Sequence, residues 1–251
     1  MSQNPNFKIL AVIPARYGST RFPGKPLVDI FGKPMIQRVY EQVQKAQKID
    51  HIVVATDNQR IFSAVTSFGG NAIMTSENHP SGTDRCFEAT QKTNQKFDAI
   101  VNIQGDEPYI DPQQIDQIAE LIALNKVDIA TLISPVTDKS LLFDPNVVKV
   151  VISKTGKALY FSRQAIPFNR NKASEKWLDA YRYFRHLGIY AYKNEVLEAI
   201  TRLNPSGLEE TESLEQLRWL ENDFYIQAGI TEKESISIDT PEDLKKLINK
   251  I

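Results

Sequence analysis

Lys8-Ile-Leu-Ala-Val-Ile-Pro-Ala-Arg-Tyr-Gly-Ser-Thr-Arg-Phe-Pro-Gly-Lys-Pro26 is the most informative stretch of the chain. It opens with a nearly continuous apolar run, the pattern of a strand covered on both faces and therefore central in a parallel sheet. The connection that follows at once carries Arg16, Arg21 and Lys25, two glycines and two hydroxyls. Glycines let backbone N–H groups approach phosphate oxygens closely, and Arg and Lys neutralise the charge. A solvated basic loop would share this composition. Position argues against it, because the loop leaves the carboxyl end of a buried strand, where doubly wound sheets bind ligands.

Outward from this stretch, strand and helix patterns alternate. Met35, Ile36, Val39, Val43 and Ala46 fall at helical spacing, and His51-Ile-Val-Val-Ala-Thr56 is a second buried strand. Residues 59–68 read as a helix, 71–75 as a strand, 83–94 as a helix and 98–104 as a fourth strand. Such repeated crossovers predict an α/β fold with a Rossmann-like, mostly parallel sheet flanked by helices. Past residue 127, strand-like runs at 128–134, 147–153, 158–161 and 187–192 follow closely and predict an inserted mixed-sheet lobe. Helices are expected at 194–203 and 211–222, and Ser235-Ile-Ser-Ile-Asp239 leads into a helix from Pro241. The polar segment 169–181 is the expected mobile loop. The chain is read as a single domain, with a dimerisation and acceptor lobe at about 145–192.

Bulk composition narrows the function classes. The 251 residues are 41% hydrophobic and 24% charged, ordinary globular values. Lys plus Arg (30) nearly balances Asp plus Glu (31), so no global positive field exists to hold nucleic acid or an anionic membrane. No apolar run approaches the roughly 18 to 20 residues of a membrane span. The lone Cys86 has no intrachain disulfide partner, and residues 1–7 show no apolar signal core, so the expected setting is cytoplasmic.

Two familiar phosphate loops are excluded. A P-loop places four residues before its Gly-Lys-Ser/Thr, whereas five separate Gly18 from Gly24, and Pro26 follows Lys25. The dinucleotide fingerprint needs a third glycine that this loop lacks. The stretch instead resembles the signature of sugar nucleotidyltransferases, specifically of the 3-deoxy-manno-octulosonate (Kdo) cytidylyltransferase, or CMP-Kdo synthetase, family. Further motifs agree in order: Ala55-Thr-Asp57, Ser81-Gly-Thr-Asp-Arg85, Asn102-Ile-Gln-Gly-Asp-Glu-Pro108, Ala158-Leu-Tyr-Phe-Ser-Arg163, Arg185-His-Leu-Gly-Ile-Tyr190, Leu214-Glu-Gln-Leu-Arg218 and Asp239-Thr-Pro-Glu-Asp243. The resemblance implies a nucleotide-diphospho-sugar transferase type of fold. The reaction it implies is transfer of CMP from CTP to the anomeric hydroxyl of Kdo, with Mg²⁺, in lipopolysaccharide precursor synthesis. It also implies a homodimer.

Read physically, Gln104-Gly-Asp-Glu-Pro108 ends a buried strand with a carboxylate, and Gly105 is expected to let the backbone turn so that Asp106 faces the strand-end crevice. Magnesium takes oxygen ligands, usually one or two carboxylates with phosphate oxygens and water. By resemblance Asp239 is the second ligand, although Asp239-Thr-Pro-Glu-Asp243 also reads as a helix start capped at Thr240. Glu107 is read as a supporting group. Resemblance gives catalytic roles to Arg16, Lys25, Asp106 and Asp239. It places Ala15, Arg16, Ser19, Lys25, Ser81, Gly82, Thr83, Arg85 and Gln104 against the nucleotide. The plain reading of residues 81–85, a capped helix N-terminus, is compatible with ligand binding by the same N–H groups.

The acceptor is an acid sugar, so its site needs further cations, preferably a bidentate Arg. Resemblance assigns Arg21, Gln104, Arg163, His186, Tyr190, Glu215 and Gln216 to it. The bland readings are a core histidine for His186 and a solvated helix face for Glu215 and Gln216. Arg185 should face away from His186 by strand alternation. His51 and His79 have no comparable context, and Cys86 reads as a small buried side chain. Trp177, Tyr181, Tyr183 and Phe184 form an aromatic cluster that reads as packing or a lid. The rival functions are a sialic-acid or amino-octulosonate acceptor, a glycosyltransferase, for which no Asp-x-Asp stands at a strand end, and a catalytically dead nucleotide sensor.

Overall fold

The apolar run forms β1 (Ile9–Ala15), whose Leu10, Ala11, Val12 and Ile13 are fully buried. The structure is a computed structural model that describes residues 7–18, 22–233 and 235–248. A small hairpin, β2 (Asp29–Ile30) and β3 (Lys33–Pro34), precedes α1 (Met35–Val43). The chain then runs through β4 (His51–Thr56), α2 (Gln59–Ser67), β5 (Ala72–Met74), α3 (Gly82–Gln91) and β6 (Ala99–Asn102). After α4 (Pro112–Ile122), β7 (Ile129–Pro135) and α5 (Lys139–Phe143) come β8 (Lys149–Ile152), β9 (Ala158–Ser162) and the helical turn α6 (Trp177–Ala180). The long β10 (Phe184–Lys193) leads to α7 (Asn194–Thr201), α8 (Gly207–Glu212), α9 (Glu215–Glu221), β11 (Ile226–Ile230) and α10 (Pro241–Ile248).

The main sheet has the order β11-β7-β10-β6-β1-β4-β5. β1 pairs in parallel with both β4 and β6, and β4 with β5, while β10 runs antiparallel to β6 and β7. From β1 the chain winds outward to β4 and β5, then returns to β6 on the other side of β1. The loops after β1 and β6 therefore flank a topological switch point, the place where open α/β sheets leave a crevice. β8 and β9 form an antiparallel pair attached to β10, which is the expected mixed-sheet extension.

Alternation along β1 divides the core into two layers. Ile9, Ala11 and Ile13 pack with Ile36, Val39 and Val43 of α1 and with Ile115, Ile118 and Ile122 of α4. Leu10 and Val12 face Cys86 and Ala89 of α3, Leu197 of α7 and Trp219 of α9. Covering both faces of a parallel sheet is what makes the strand sequence apolar throughout.

Two expectations need correction. The helix expected over 211–222 is two helices, α8 and α9, broken at Ser213, which has φ 51. The break has a cause: the Arg163 guanidinium takes the carbonyls of Glu212 (2.7 Å) and Ser213 (3.2 Å), oxygens that a continuous helix would use internally. The segment 169–181 is not a bare loop. It contains α6, and Trp177, only 5% exposed, stacks on Tyr183 with centroids 6.1 Å apart and donates Nε1–H to the Lys172 carbonyl. The Tyr183 hydroxyl in turn donates to the Pro167 carbonyl at 3.0 Å. Trp177→Ala is expected to cost about 3 kcal/mol, read by urea unfolding, and to open 169–181 to limited proteolysis; unchanged protection would show that the stacking does not hold this segment.

Candidate active site

At the carboxyl end of β1 the chain turns through Tyr17, whose carbonyl accepts the Gly24 N–H at 3.0 Å. Gly24 has φ +72, and a Cβ there would stand 3.3 Å from the Tyr17 ring, so both conformation and space favour glycine. Arg60 braces the turn by donating to the Tyr17 hydroxyl at 3.1 Å. A single helical turn over Lys25–Leu27, with Pro26 at its start, then directs Lys25 back across the crevice.

Opposite it, Ile103 N–H bonds the Val12 carbonyl and extends the strand pairing past β6. The backbone next passes so close to β1 that a Cβ on Gly105 would lie 2.7 Å from the Pro14 carbonyl. The expected turn forms at Gly105 and Asp106, and this close approach is what requires glycine in it. Asp106 follows, and its carbonyl accepts the Ile238 N–H at 2.9 Å. Ile238 is fully buried with Ile30, Met35 and Leu247, which fixes the far end of the chain against this loop. The helix cap forms as read from sequence: Asp243 accepts from the N–H groups of Asp239 and Thr240, while its own N–H donates to Thr240 Oγ1. Thr240 is the cap and Asp243 its reciprocal partner, so Asp239 is not used as the cap.

Asp106 and Asp239 thus meet around one ammonium. Lys25 Nζ lies 2.7 Å from Asp106 Oδ2 and 3.2 Å from Asp239 Oδ1, although 214 residues separate Lys25 from Asp239. Among the described residues no three acidic, histidine or cysteine side chains converge as a metal-binding group. Glu107 turns to Ser235, whose hydroxyl donates to it at 2.6 Å. Burial, and then the charges of Asp106 and Asp239, push the Glu107 carboxyl above its ordinary range.

A cleft of about 280 Å³ opens over this pair. Of the residues singled out from sequence, Ala15, Arg16, Lys25, Ser81, Gly82, Arg85, Gln104, Asp106 and Asp239 line it. Ser19 and Arg21 lie outside the described residues. Ser81 caps α3 by accepting the Asp84 N–H. Arg85 is 4% exposed and held by Thr75 (2.6 Å) and Asp57 (2.7 Å), which gives the Ala55-Thr-Asp57 motif a physical purpose. Thr83 stands behind the wall, its hydroxyl donating to Glu215 at 3.0 Å.

The residues expected around an acceptor form a second group beside the cleft, joined to it by the Thr83–Glu215 bond and by Gln104 Nε2, which donates to the Gly188 carbonyl at 2.8 Å. His186 bonds Thr131 Oγ1 at 2.9 Å and contacts the rings of Phe161 and Tyr190. Desolvation pushes its imidazole down to about 3, so it is neutral at pH 7. The buried Tyr190 hydroxyl has no partner among the described residues. Gln216 is buried, and burial raises the Glu215 carboxyl against the bonds from Thr83 and Ser81. Neither Glu215 nor Gln216 belongs to a solvated helix face. Arg163 is occupied at backbone carbonyls, those of Glu212, Pro145 and Ser213. Arg185 Nε donates to Ser134. Sequence reasoning passed over one cleft residue, His79, which lines the wall beside Pro80 and contacts Glu88. Its spacing of nine residues from Glu88 follows no helical or strand period, and adjacency to Ser81-Gly82 was the available signal.

Comparison with known proteins gives one answer. A family model described as cytidylyltransferase matches residues 10–236. A 3-deoxy-manno-octulosonate cytidylyltransferase of Parabacteroides distasonis is 54% identical over 245 residues, 96% of this chain and 97% of its own. One from Bacteroides thetaiotaomicron is 53% identical, covering 95% and 96%. A structure of CMP:2-keto-3-deoxy-manno-octonic acid synthetase complexed with CTP superposes with a TM-score of 0.90 at 41% identity, covering 97% of this chain and 98% of that one. A 4-diphosphocytidyl-2C-methyl-D-erythritol synthase of Anaerococcus prevotii, 15% identical with a TM-score of 0.65, shares the fold. By sequence match along nearly its whole length, and by a sheet whose switch-point cleft gathers the signature residues, the chain belongs to the 3-deoxy-manno-octulosonate cytidylyltransferase family.

Proposed function

We propose that the chain transfers CMP from CTP to the anomeric hydroxyl of Kdo, releasing pyrophosphate and CMP-Kdo for lipopolysaccharide synthesis in the cytoplasm. The observation that carries this reading is the convergence of Lys25, Asp106 and Asp239 at the floor of a cleft walled by Arg16, Ser81, Gly82 and Arg85. The sugar hydroxyl attacks the α-phosphorus in line and pyrophosphate departs; no covalent enzyme intermediate is needed. Positioning and charge neutralisation supply the catalysis. Arg16 and Lys25 hold the phosphates, while Arg85, fixed by Asp57 and Thr75, orients the nucleoside together with the α3 N-terminus. Gln104, Arg163, His186, Tyr190, Glu215 and Gln216 serve the acceptor, where a neutral His186 and an unpartnered Tyr190 hydroxyl suit a polyhydroxylated ligand.

The aspartate pair fits magnesium. Its donors are all oxygen, it already gathers a cation, and the side chains keep 22% and 43% of their exposure toward the cleft, leaving room for phosphate and water ligands. Magnesium held by Asp106 and Asp239 would supply Lewis-acid charge withdrawal at the phosphate and would acidify the attacking hydroxyl.

A second copy of this chain is the proposed partner of the 145–192 lobe. Phe168 is 76% exposed, with Tyr181 at 41% in the same segment and Phe143 at 43% packed on Trp177 just before it, an apolar aromatic patch beyond what a monomer surface needs.

Three measurements test these readings. Kdo and Mg²⁺ offered with each of the four nucleoside triphosphates should release pyrophosphate with CTP alone; equal release with another nucleotide, or none with CTP, removes the assignment. Asp106→Asn should lower kcat by at least about 100-fold with an unchanged circular dichroism spectrum, and a fully active variant would refute its role. Phe168→Glu should convert a sedimenting dimer to a monomer; a wild-type protein that sediments as a monomer refutes the dimer.

A further inference from the structure

One titratable side chain in the cleft has no part in the reaction above. His79 lines the wall next to Pro80, Ser81 and Gly82. Its Nε2 meets Glu88, whose carboxylate also accepts the Ser76 N–H at 2.7 Å and the Lys92 ammonium at 2.7 Å. Burial opposes the charge on Glu88, but the bonds from Lys92, Ser76 and His79 outweigh it and bring the carboxyl down to about 2. At neutral pH this carboxylate is ionised and therefore only accepts hydrogen bonds. Nε2 must carry the proton. In the neutral ring that leaves the lone pair on Nδ1, and Nδ1 has no partner among the described residues.

An acceptor on a residue that lines a nucleotide site needs a donor on the ligand. Phosphate oxygens are themselves acceptors. The donors of CTP are its ribose hydroxyls and the exocyclic amine of cytosine. We propose that His79 Nδ1 accepts a hydrogen bond from the nucleoside part of CTP, at a ribose hydroxyl or at the cytosine amine, and so helps set nucleotide specificity. Glu88 is the positioning residue that fixes the ring and its tautomer. This rests on the CTP-dependent reading above.

The Glu88 contact by itself would also be made by a histidine that merely ties down the loop over 76–80, so the test must keep that contact. His79→Gln does so: its amide N–H reaches toward Glu88 as Nε2 does, but nothing replaces Nδ1. Pyrophosphate release is measured with Kdo, Mg²⁺ and each of CTP, UTP, 2′-deoxy-CTP and 3′-deoxy-CTP. Wild-type release with CTP establishes the underlying reading; its absence removes both. With that reading in place, H79Q should reduce the kcat/KM advantage of CTP over one analogue by about tenfold, the value of one hydrogen bond. Loss against UTP assigns the contact to the cytosine amine, and loss against a deoxy analogue to that hydroxyl. An equal decrease for all four nucleotides, as expected of a loop tie or of a phosphate-binding imidazolium, overturns the proposal, as does no change. Should circular dichroism show H79Q unfolded, His79→Asn, which sets its amide near the place of Nδ1, is measured in the same way. It should retain the selectivity while His79→Leu, which offers no acceptor, loses it; loss in the first or retention in the second would overturn the proposal.

Discussion

The cleft is organised by an electrostatic constraint. Two carboxylates within reach of one another repel by about 1 to 4 kcal/mol at 4 Å for effective dielectrics from water to a protein surface. A cation between them relieves this, and Lys25 supplies one at 2.7 and 3.2 Å. The same two carboxylates are the pair proposed above for magnesium, and their repulsion is what a cation of either kind relieves. A protein of net charge −1 has no general field for attracting anions. Attraction must therefore come from positive groups concentrated at one strand end.

Holding that cluster in place is the work of backbone contacts more than of side chains. Gly105 brings the Asp106 loop against Pro14, and the Ile238 N–H pins the C-terminal segment to the Asp106 carbonyl. Both contacts act between segments distant in sequence, and both depend on the buried sheet that sets β1 beside β6. Packing on two faces of that sheet supplies the rigidity that a charge cluster needs if its groups are to stay within hydrogen-bonding distance.

What could be read beforehand follows from this division. Strands β1 and β4 and helix α1 have strong local periodicity and were legible. Helix α4 was not recognised, despite Asp111-Pro112 at its start and Ile115, Ile118 and Ile122 on one face. β11, Ile-Gln-Ala-Gly-Ile, has Gln227 and Gly229 in place of a continuous apolar run, and β2 with β3 are too small for periodicity to announce them. In the cleft, nine of the expected residues converge because they sit at strand ends and a helix start, where motif and topology coincide. The break at Ser213 and the pinning of Trp177 come from tertiary bonds, to Arg163 and Tyr183, that no local pattern contains. His79 was missed for a like reason: its meaning depends on Glu88, one face of a helix away.

Arg163 shows how one residue can tie several segments together. Its backbone carbonyl is one of three that surround the ammonium of Lys149, a fully buried lysine whose other partners are the carbonyls of Asp144 and Val147. Its N–H donates to the Glu212 carboxylate, which also accepts from Ser162. These bonds knit β8, β9 and the end of α8 into one unit, immediately before Glu215 and Gln216. A guanidinium has five N–H donors, and three are spent on carbonyls. Two remain, one on each terminal nitrogen. Arginine thus suits the joint, because its planar fork reaches three carbonyls from different segments at once, which the single ammonium of a lysine could not do with the same geometry.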